Sequence, residues 1–157
     1  MTLSLEPLDG RVAASGQLGP DDMKNLAAAG YRTVVNNRPD REAMFGQPRT
    51  TALRRAAELA GLTFVDLPFS GTDATPDQVQ TLADLMSRGD GTIVVFCKSG
   101  MRSAFLWGVA AIASGKTLEE VLNATRGAGH NLASIQQAML ALAARARSRV
   151  ISGENNV

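Results

Sequence analysis

The sequence predicts an α/β fold in which a mainly parallel sheet of four to five strands is flanked by helices. Three observations predict it. Segments of strand and helix character alternate through the first two-thirds of the chain, the pattern of parallel strands joined by crossover helices. The run Thr92-Ile93-Val94-Val95-Phe96 is apolar without alternation, as a central strand buried on both faces requires. Arg102–Ser114 is apolar nearly all round, which marks a helix enclosed by the core.

The remaining elements follow in order. Arg11–Ala14 reads as a short strand. Gly19-Pro20-Asp21-Asp22 reads as a helix start, with Pro at the first helical position and acids in the first turn. That helix runs to about Ala29, and Gly30 stops it. Tyr31-Arg32-Thr33-Val34-Val35-Asn36 is a β-branched strand. Pro48 to Gly61 is a helix with Leu53, Ala56, Ala57 and Ala60 on one face, and Leu62–Leu67 is a strand. Thr75-Pro76-Asp77-Gln78 is a capping box that opens a helix to about Arg88, with Val79, Leu82 and Met86 inward. Thr117-Leu118-Glu119-Glu120 is a second capping box, opening a short helix to about Thr125. Gly127-Ala128-Gly129 breaks the chain. Leu132, Ile135, Met139, Leu142 and Ala146 then recur at helical spacing and define a last amphipathic helix.

The 157 residues, 45% hydrophobic and 20% charged, suit one domain over residues 1–151, followed by a flexible tail at 152–157. A net charge of +1 excludes bulk affinity for nucleic acid or a membrane surface. The longest apolar run, near Ala104–Ala113, is too short to span a bilayer, and no signal segment opens the chain. A single cysteine forms no intrachain disulfide, so a cytoplasmic location is expected. One cysteine and one histidine leave no metal site. Gly127–Gly129 lacks the third glycine and the preceding strand of a nucleotide fingerprint. No cofactor is expected.

Cys97 follows the most buried strand, where α/β sheets place their chemistry. The segment Cys97-Lys98-Ser99-Gly100-Met101-Arg102-Ser103 then supplies what an anion needs. Gly100 permits a tight turn and a close approach to its amide. The helix that follows presents unpaired N–H groups and the positive end of its dipole. Arg102 adds a fork of donors suited to a tetrahedral oxyanion. Lys98 adds positive charge, and the Ser103 hydroxyl can donate to a thiolate. All of these favour sulfur as the thiolate, the nucleophilic form, so Cys97 is read as catalytic.

This loop is similar to the Cys-Arg-x-Gly-x-Arg-Ser loop of single-domain rhodaneses. The chain as a whole resembles the bacterial beta-lactamase hydrolase-like family, a domain also found fused to persulfide dioxygenases. The resemblance is carried by Ser15-Gly16-Gln17-Leu18, Val35-Asn36-Asn37-Arg38-Pro39-Asp40, Gly46-Gln47-Pro48, Asp66-Leu67-Pro68 and Cys97–Ser103. It implies a fold like that of the cysteine phosphatases. It leaves the reaction open, since members are described both as phosphatases and as sulfur transferases.

Loop length separates the two chemistries. Here four residues lie between Cys97 and Arg102, whereas cysteine phosphatases carry one more and usually place His before the cysteine, where this chain has Phe96. The shorter ring is that of rhodaneses. The reading preferred on sequence is therefore a rhodanese-like sulfurtransferase. Cys97 would take a sulfur atom from thiosulfate or a related small sulfur-containing anion as a persulfide, while Arg102, Ser99 and the Gly100 and Met101 amides hold the anion. The alternative is a tyrosine- or dual-specificity-type phosphatase working on a phosphorylated substrate through a phosphocysteine, with Asp73 as general acid. A third reading is a non-catalytic persulfide relay or anion sensor, and a persulfide dioxygenase is a possible partner. Arg38 and Asp40, beyond the second strand, are candidates to line the pocket mouth. Gln47 either bonds substrate or starts a helix. Asp66 is read as structural, pairing with Arg102 or capping a loop. His130 is assigned little catalytic weight, and Arg145, Arg147 and Arg149 read as a solvated helix end.

Overall fold

The computed structural model describes residues 3–154, the last six by their backbone alone. β-branched and apolar runs form the strands: β1 (Glu6–Pro7), β2 (Val12–Ser15), β3 (Tyr31–Asn36), β4 (Thr63–Asp66) and β5 (Thr92–Phe96). They form one sheet in the order β1-β2-β5-β3-β4. Every neighbouring pair is parallel except β1 with β2. The edge strand β1 was not legible, because two residues carry no periodicity.

The helices are α1 (Asp22–Ala28), α2 (Thr50–Leu59), α3 (Pro76–Ser87), α4 (Met101–Ala113), α5 (Leu118–Gly127) and α6 (Gln136–Glu154), with a 3₁₀ turn at Ala133–Ile135 before α6. Both capping boxes form as expected: Thr75 with Gln78, and Thr117 with Glu120. Three boundaries differ. Pro20 lies in the turn before α1, and Asp22 accepts from the Gly19 amide at 2.7 Å. The Gly127 break falls inside the last turn of α5. Helix α6 reaches Glu154, so the tail expected from Ser152 starts as helix, and residues 155–157 lie outside the described ones.

Two cores flank the sheet. Met23 and Leu26 of α1 and Leu53 and Ala57 of α2 pack on Val34, Phe64, Val94 and Phe96. Helices α3 to α6 cover the other face over Val35, Ile93 and Val95. This alternation of inward residues is the strand period of two. At the β4 edge the Arg54 guanidinium lies 5.0 Å from the Phe64 ring centroid and donates to the Phe64 carbonyl at 3.3 Å.

Helix α4 is the hub of the larger core, with Ser103 through Ile112 all buried. Gly108 is where α5 and α6 close on it. A Cβ there would lie 2.6 Å from Met139 Cε and 2.8 Å from Val121 Cγ1. We expect Gly108→Val to destabilise the fold by about 2 kcal/mol through overpacking, read as a lower urea midpoint. An unchanged midpoint would show that α5 and α6 give way freely.

Candidate functional site

The carboxyl ends of β3, β4 and β5 are locked by two asparagines. Asn37 donates its backbone N–H to Phe96 O (2.8 Å) and its side-chain amide to Leu67 O (3.0 Å), and its Oδ1 accepts from the Ser103 hydroxyl (2.7 Å). Asn36 donates to Asp66 Oδ1 (2.8 Å) and to Arg38 O (2.9 Å), and accepts from the Arg38 amide (2.9 Å). The loops after β3, β4 and β5 start from this network. Two expectations change here. The Ser103 hydroxyl donates to Asn37, which holds α4 to β3, and is not spent on the cysteine. Asp66 pairs with Asn36, not with Arg102.

Cys97 is 1% exposed and follows β5 directly. Its amide donates to Ser15 O at 3.3 Å, and its Sγ accepts from the Gly100 amide at 3.1 Å. Gly100 caps α4 with φ of 99°, the left-handed conformation that glycine adopts without a Cβ penalty. The segment after β2 braces the loop from one side: Gln17 N donates to Lys98 O at 3.2 Å. Gly16 stands where a Cβ would lie 3.1 Å from that same oxygen. The amides expected to hold an anion are partly committed, Gly100's to the sulfur and Met101's to Ser99 Oγ at 3.4 Å. Lys98 and Ser99 are exposed on the outer turn.

Arg102 is held by a residue that sequence reasoning missed. Its Nη1 and Nη2 donate to the two carboxylate oxygens of Glu42 at 2.7 and 2.9 Å, and Nη1 also donates to Phe69 O at 3.1 Å. Guanidinium carries five N–H groups. The two that Glu42 and Phe69 leave, on Nε and Nη2, lie along one edge, a fork matched to two oxygens of a tetrahedral anion, and the guanidinium also interacts with the Cys97 side chain. Arg102's own proton affinity is raised, mostly by Glu42 against the opposing effect of burial, with the Cys97 sulfur adding to it. Glu42 also accepts from Arg38 Nε at 2.8 Å, and Arg38 Nη1 donates to Gln17 Oε1 at 2.9 Å. Arg38 is therefore buried and bonded to Glu42 and Gln17, away from the pocket-mouth position that the sequence suggests. The only sequence signal for Glu42 was its spacing four residues after Arg38.

Asp40 accepts from the amide and hydroxyl of Thr50 at 2.9 and 2.8 Å, capping α2. Burial pushes its carboxyl up, but the Thr50 bonds and Arg49 and Arg41 outweigh this and hold it below the usual value. Its carboxylate is thus committed to a helix end and not to an anion. Gln47 staples its loop, accepting from Ala43 N and donating to Pro39 O. Asp73 is exposed in the loop between β4 and α3, and its side chain makes no hydrogen bond among the described residues. Its neighbours Gly71 and Thr72 line a cavity of about 350 Å³ with Ser99, Met101, Arg102, Phe105 and Ile135. Asp73 itself is not among the lining residues and follows them directly in the loop. Arg147 donates to the carbonyls of Ala113 and Ile112, closing the C-terminal end of α4; Arg145 is exposed, and the Arg149 side chain is outside the described residues. Among the described residues no three His, Cys, Asp or Glu side chains converge to hold a metal, and no helix is long and apolar enough to cross a membrane.

The Arg102 bonds hold the Glu42 carboxyl down to about 2 from an ordinary 4.5, burial opposes them, and Arg38 adds to them. A depressed carboxyl stabilises the fold above its unfolded value, and that contribution is lost as pH falls from 4.5 toward 2. We expect Glu42→Gln to be less stable than wild type at neutral pH by about 1 kcal/mol. The gap should close across that acid window in urea titrations. A gap independent of pH would remove Glu42 as the origin.

Residues 5–114 match the model of the beta-lactamase hydrolase-like protein, phosphatase-like domain, and the chain belongs to that family. A beta-lactamase hydrolase-like protein of Xylella fastidiosa strain Temecula1 is 32% identical over 78% of this chain, but only 28% of that protein is covered. The chain spans between 22% and 28% of the length of such curated relatives. Among solved structures, a candidate phosphatase from Neisseria meningitidis Z2491 is 30% identical with a TM-score of 0.73, over 85% of this chain and 94% of that one. Tk-PTP in its active form has a TM-score of 0.71 at 20% identity, over 95% and 99% of the two chains, a likeness of fold. These relatives reverse the order of the two chemistries reached from loop length: they support a cysteine-phosphatase-like enzyme and give no support to sulfur transfer.

Proposed function

We propose that this member of the family is a cysteine-dependent phosphatase that hydrolyses small phosphate monoesters. The observation that carries the reading is the Arg102 guanidinium, fixed by Glu42 and Phe69 with one edge left over and interacting with a sulfur that the Gly100 amide already contacts. Such a guanidinium is oriented before an anion arrives, which lowers the reorganisation left for the transition state. The phosphatase descriptions attached to the family and to the Neisseria structure support the same reading.

Cys97 Sγ attacks phosphorus as the ester P–O bond breaks. The equatorial oxygens gather charge, which the Arg102 edge and the start of α4 stabilise. The leaving oxygen takes a proton from Asp73, whose loop borders the cavity. Water then attacks the phosphocysteine, giving its proton to the Asp73 carboxylate and releasing phosphate and the thiolate. Sulfur transfer is the second reading. The four-residue interval between Cys97 and Arg102 favours it, and it needs no proton donor, since sulfite leaves as a stable anion.

The experiment is an aryl phosphate assay run beside intact-mass analysis after incubation with thiosulfate. We expect phosphate release, its abolition in Cys97→Ser, and a fall in kcat of about 10²–10⁴ in Asp73→Asn. No phosphate release, but one sulfur added to wild type and none to Cys97→Ser, would overturn the phosphatase and install the sulfurtransferase.

A further inference from the structure

The one histidine and the first strand meet behind the cysteine loop. His130 is 8% exposed, and its Nε2 lies 2.5 Å from Glu6 Oε2. Its own amide donates to Thr125 O at 2.8 Å, fixing it to the end of α5. The two side chains come from positions 124 apart and close on one residue, Gly100. A Cβ at Gly100 would stand 3.0 Å from His130 Nε2 and 3.4 Å from Glu6 Oε2. On its other side, Gly100 turns its amide onto Cys97 Sγ.

We propose that His130 and Glu6 are positioning residues, a hydrogen-bonded wall that holds Gly100 in the conformation that aims its amide at the Cys97 sulfur. Neither touches the sulfur or the anion. The physical need is plain. Glycine has more backbone freedom than any other residue, and an amide donor stabilises a thiolate only while it stays on line. The loop is gripped from the β2 side by Ser15 and Gln17, which bond the Cys97 amide and the Lys98 carbonyl. Gly100 lies beyond that grip. The pair from β1 and the α5 end supplies the second jaw. Both partners must be present, because an imidazole without Glu6 is free to turn, and Glu6 without His130 leaves the glycine uncovered. His130 also lies beyond residue 114, outside the segment matched by the family model, so the role is one this chain's own C-terminal part contributes.

The test reads the thiol and not turnover, so it stands whichever reaction Cys97 performs. The rate of Cys97 alkylation by iodoacetamide is followed from acid to alkaline pH in wild type, His130→Phe, His130→Gln and Glu6→Ala. Loss of one well-aimed hydrogen bond to a thiolate should raise the pH of half-maximal reactivity by about one unit in His130→Phe. Glu6→Ala, at a partly exposed strand edge where folding is not at stake, should do the same. His130→Gln keeps an N–H donor for Glu6 and should recover at least half of the shift. Wild-type profiles in folded His130→Phe or in Glu6→Ala would overturn the proposal. So would a Gln variant that behaves like Phe.

Discussion

The geometry of the site depends on the pair formed by Arg102 and Glu42. An arginine at the start of a helix has many rotamers, and immobilising it carries an entropy cost of up to about 2 kcal/mol. Glu42 and the Phe69 carbonyl meet that cost before any ligand binds, leaving the other edge of the guanidinium toward the site. The same carboxylate engages Arg38, and Arg38 reaches Gln17. One acid thereby ties the loop after β3 and the segment after β2 to the helix that begins at the cysteine loop. Removing Glu42 would leave two guanidinium groups without the carboxylate they share, each keeping another partner, Gln17 and the Phe69 carbonyl.

The Asn36–Asn37 network explains why these loops converge at all. Parallel strands end with unpaired groups, and buried polar atoms must find partners. Here the side-chain amides do this across three strands, so the carboxyl edge is rigid where the chain leaves it. The cavity beside Arg102 takes its apolar wall from the same construction. Phe69 carries the carbonyl that holds Arg102, and its ring lies 6.3 Å from that of Phe105, which lines the cavity. Phe69 thus contributes both to the hold on Arg102 and to the aromatic packing behind the cavity.

What the sequence made legible was local. Both capping boxes, the β-branched strand at Tyr31–Asn36, the buried strand at Thr92–Phe96 and the all-apolar helix after it follow from neighbours within a few positions. The cysteine, its glycine and its arginine were legible for the same reason. The partners were not. Glu42 meets Arg102 across 60 positions and Glu6 meets His130 across 124, and no periodicity encodes such pairs. Ser103 was assigned to the sulfur because it is near in sequence, whereas its partner, Asn37, is 66 positions away. Asp40 was assigned to the anion from its place beyond a strand, a position that equally suits capping the next helix. Loop length is likewise a count along the chain, and by itself it favours sulfur transfer, whereas the family and the Neisseria structure back the phosphatase alternative better.

The order of strands has a further consequence, for self-association. An open sheet offers two rows of unpaired backbone groups to other chains, and natural proteins must blunt both. On one side the border is β1, two residues long and antiparallel to its neighbour, too short to template another strand. On the other it is β4, four residues long, with Thr63 outermost and the Arg54 guanidinium already seated on the Phe64 carbonyl. Both borders are therefore short, and the β4 border is engaged at one carbonyl. By that rule the sheet offers little backbone for another copy of the chain to extend.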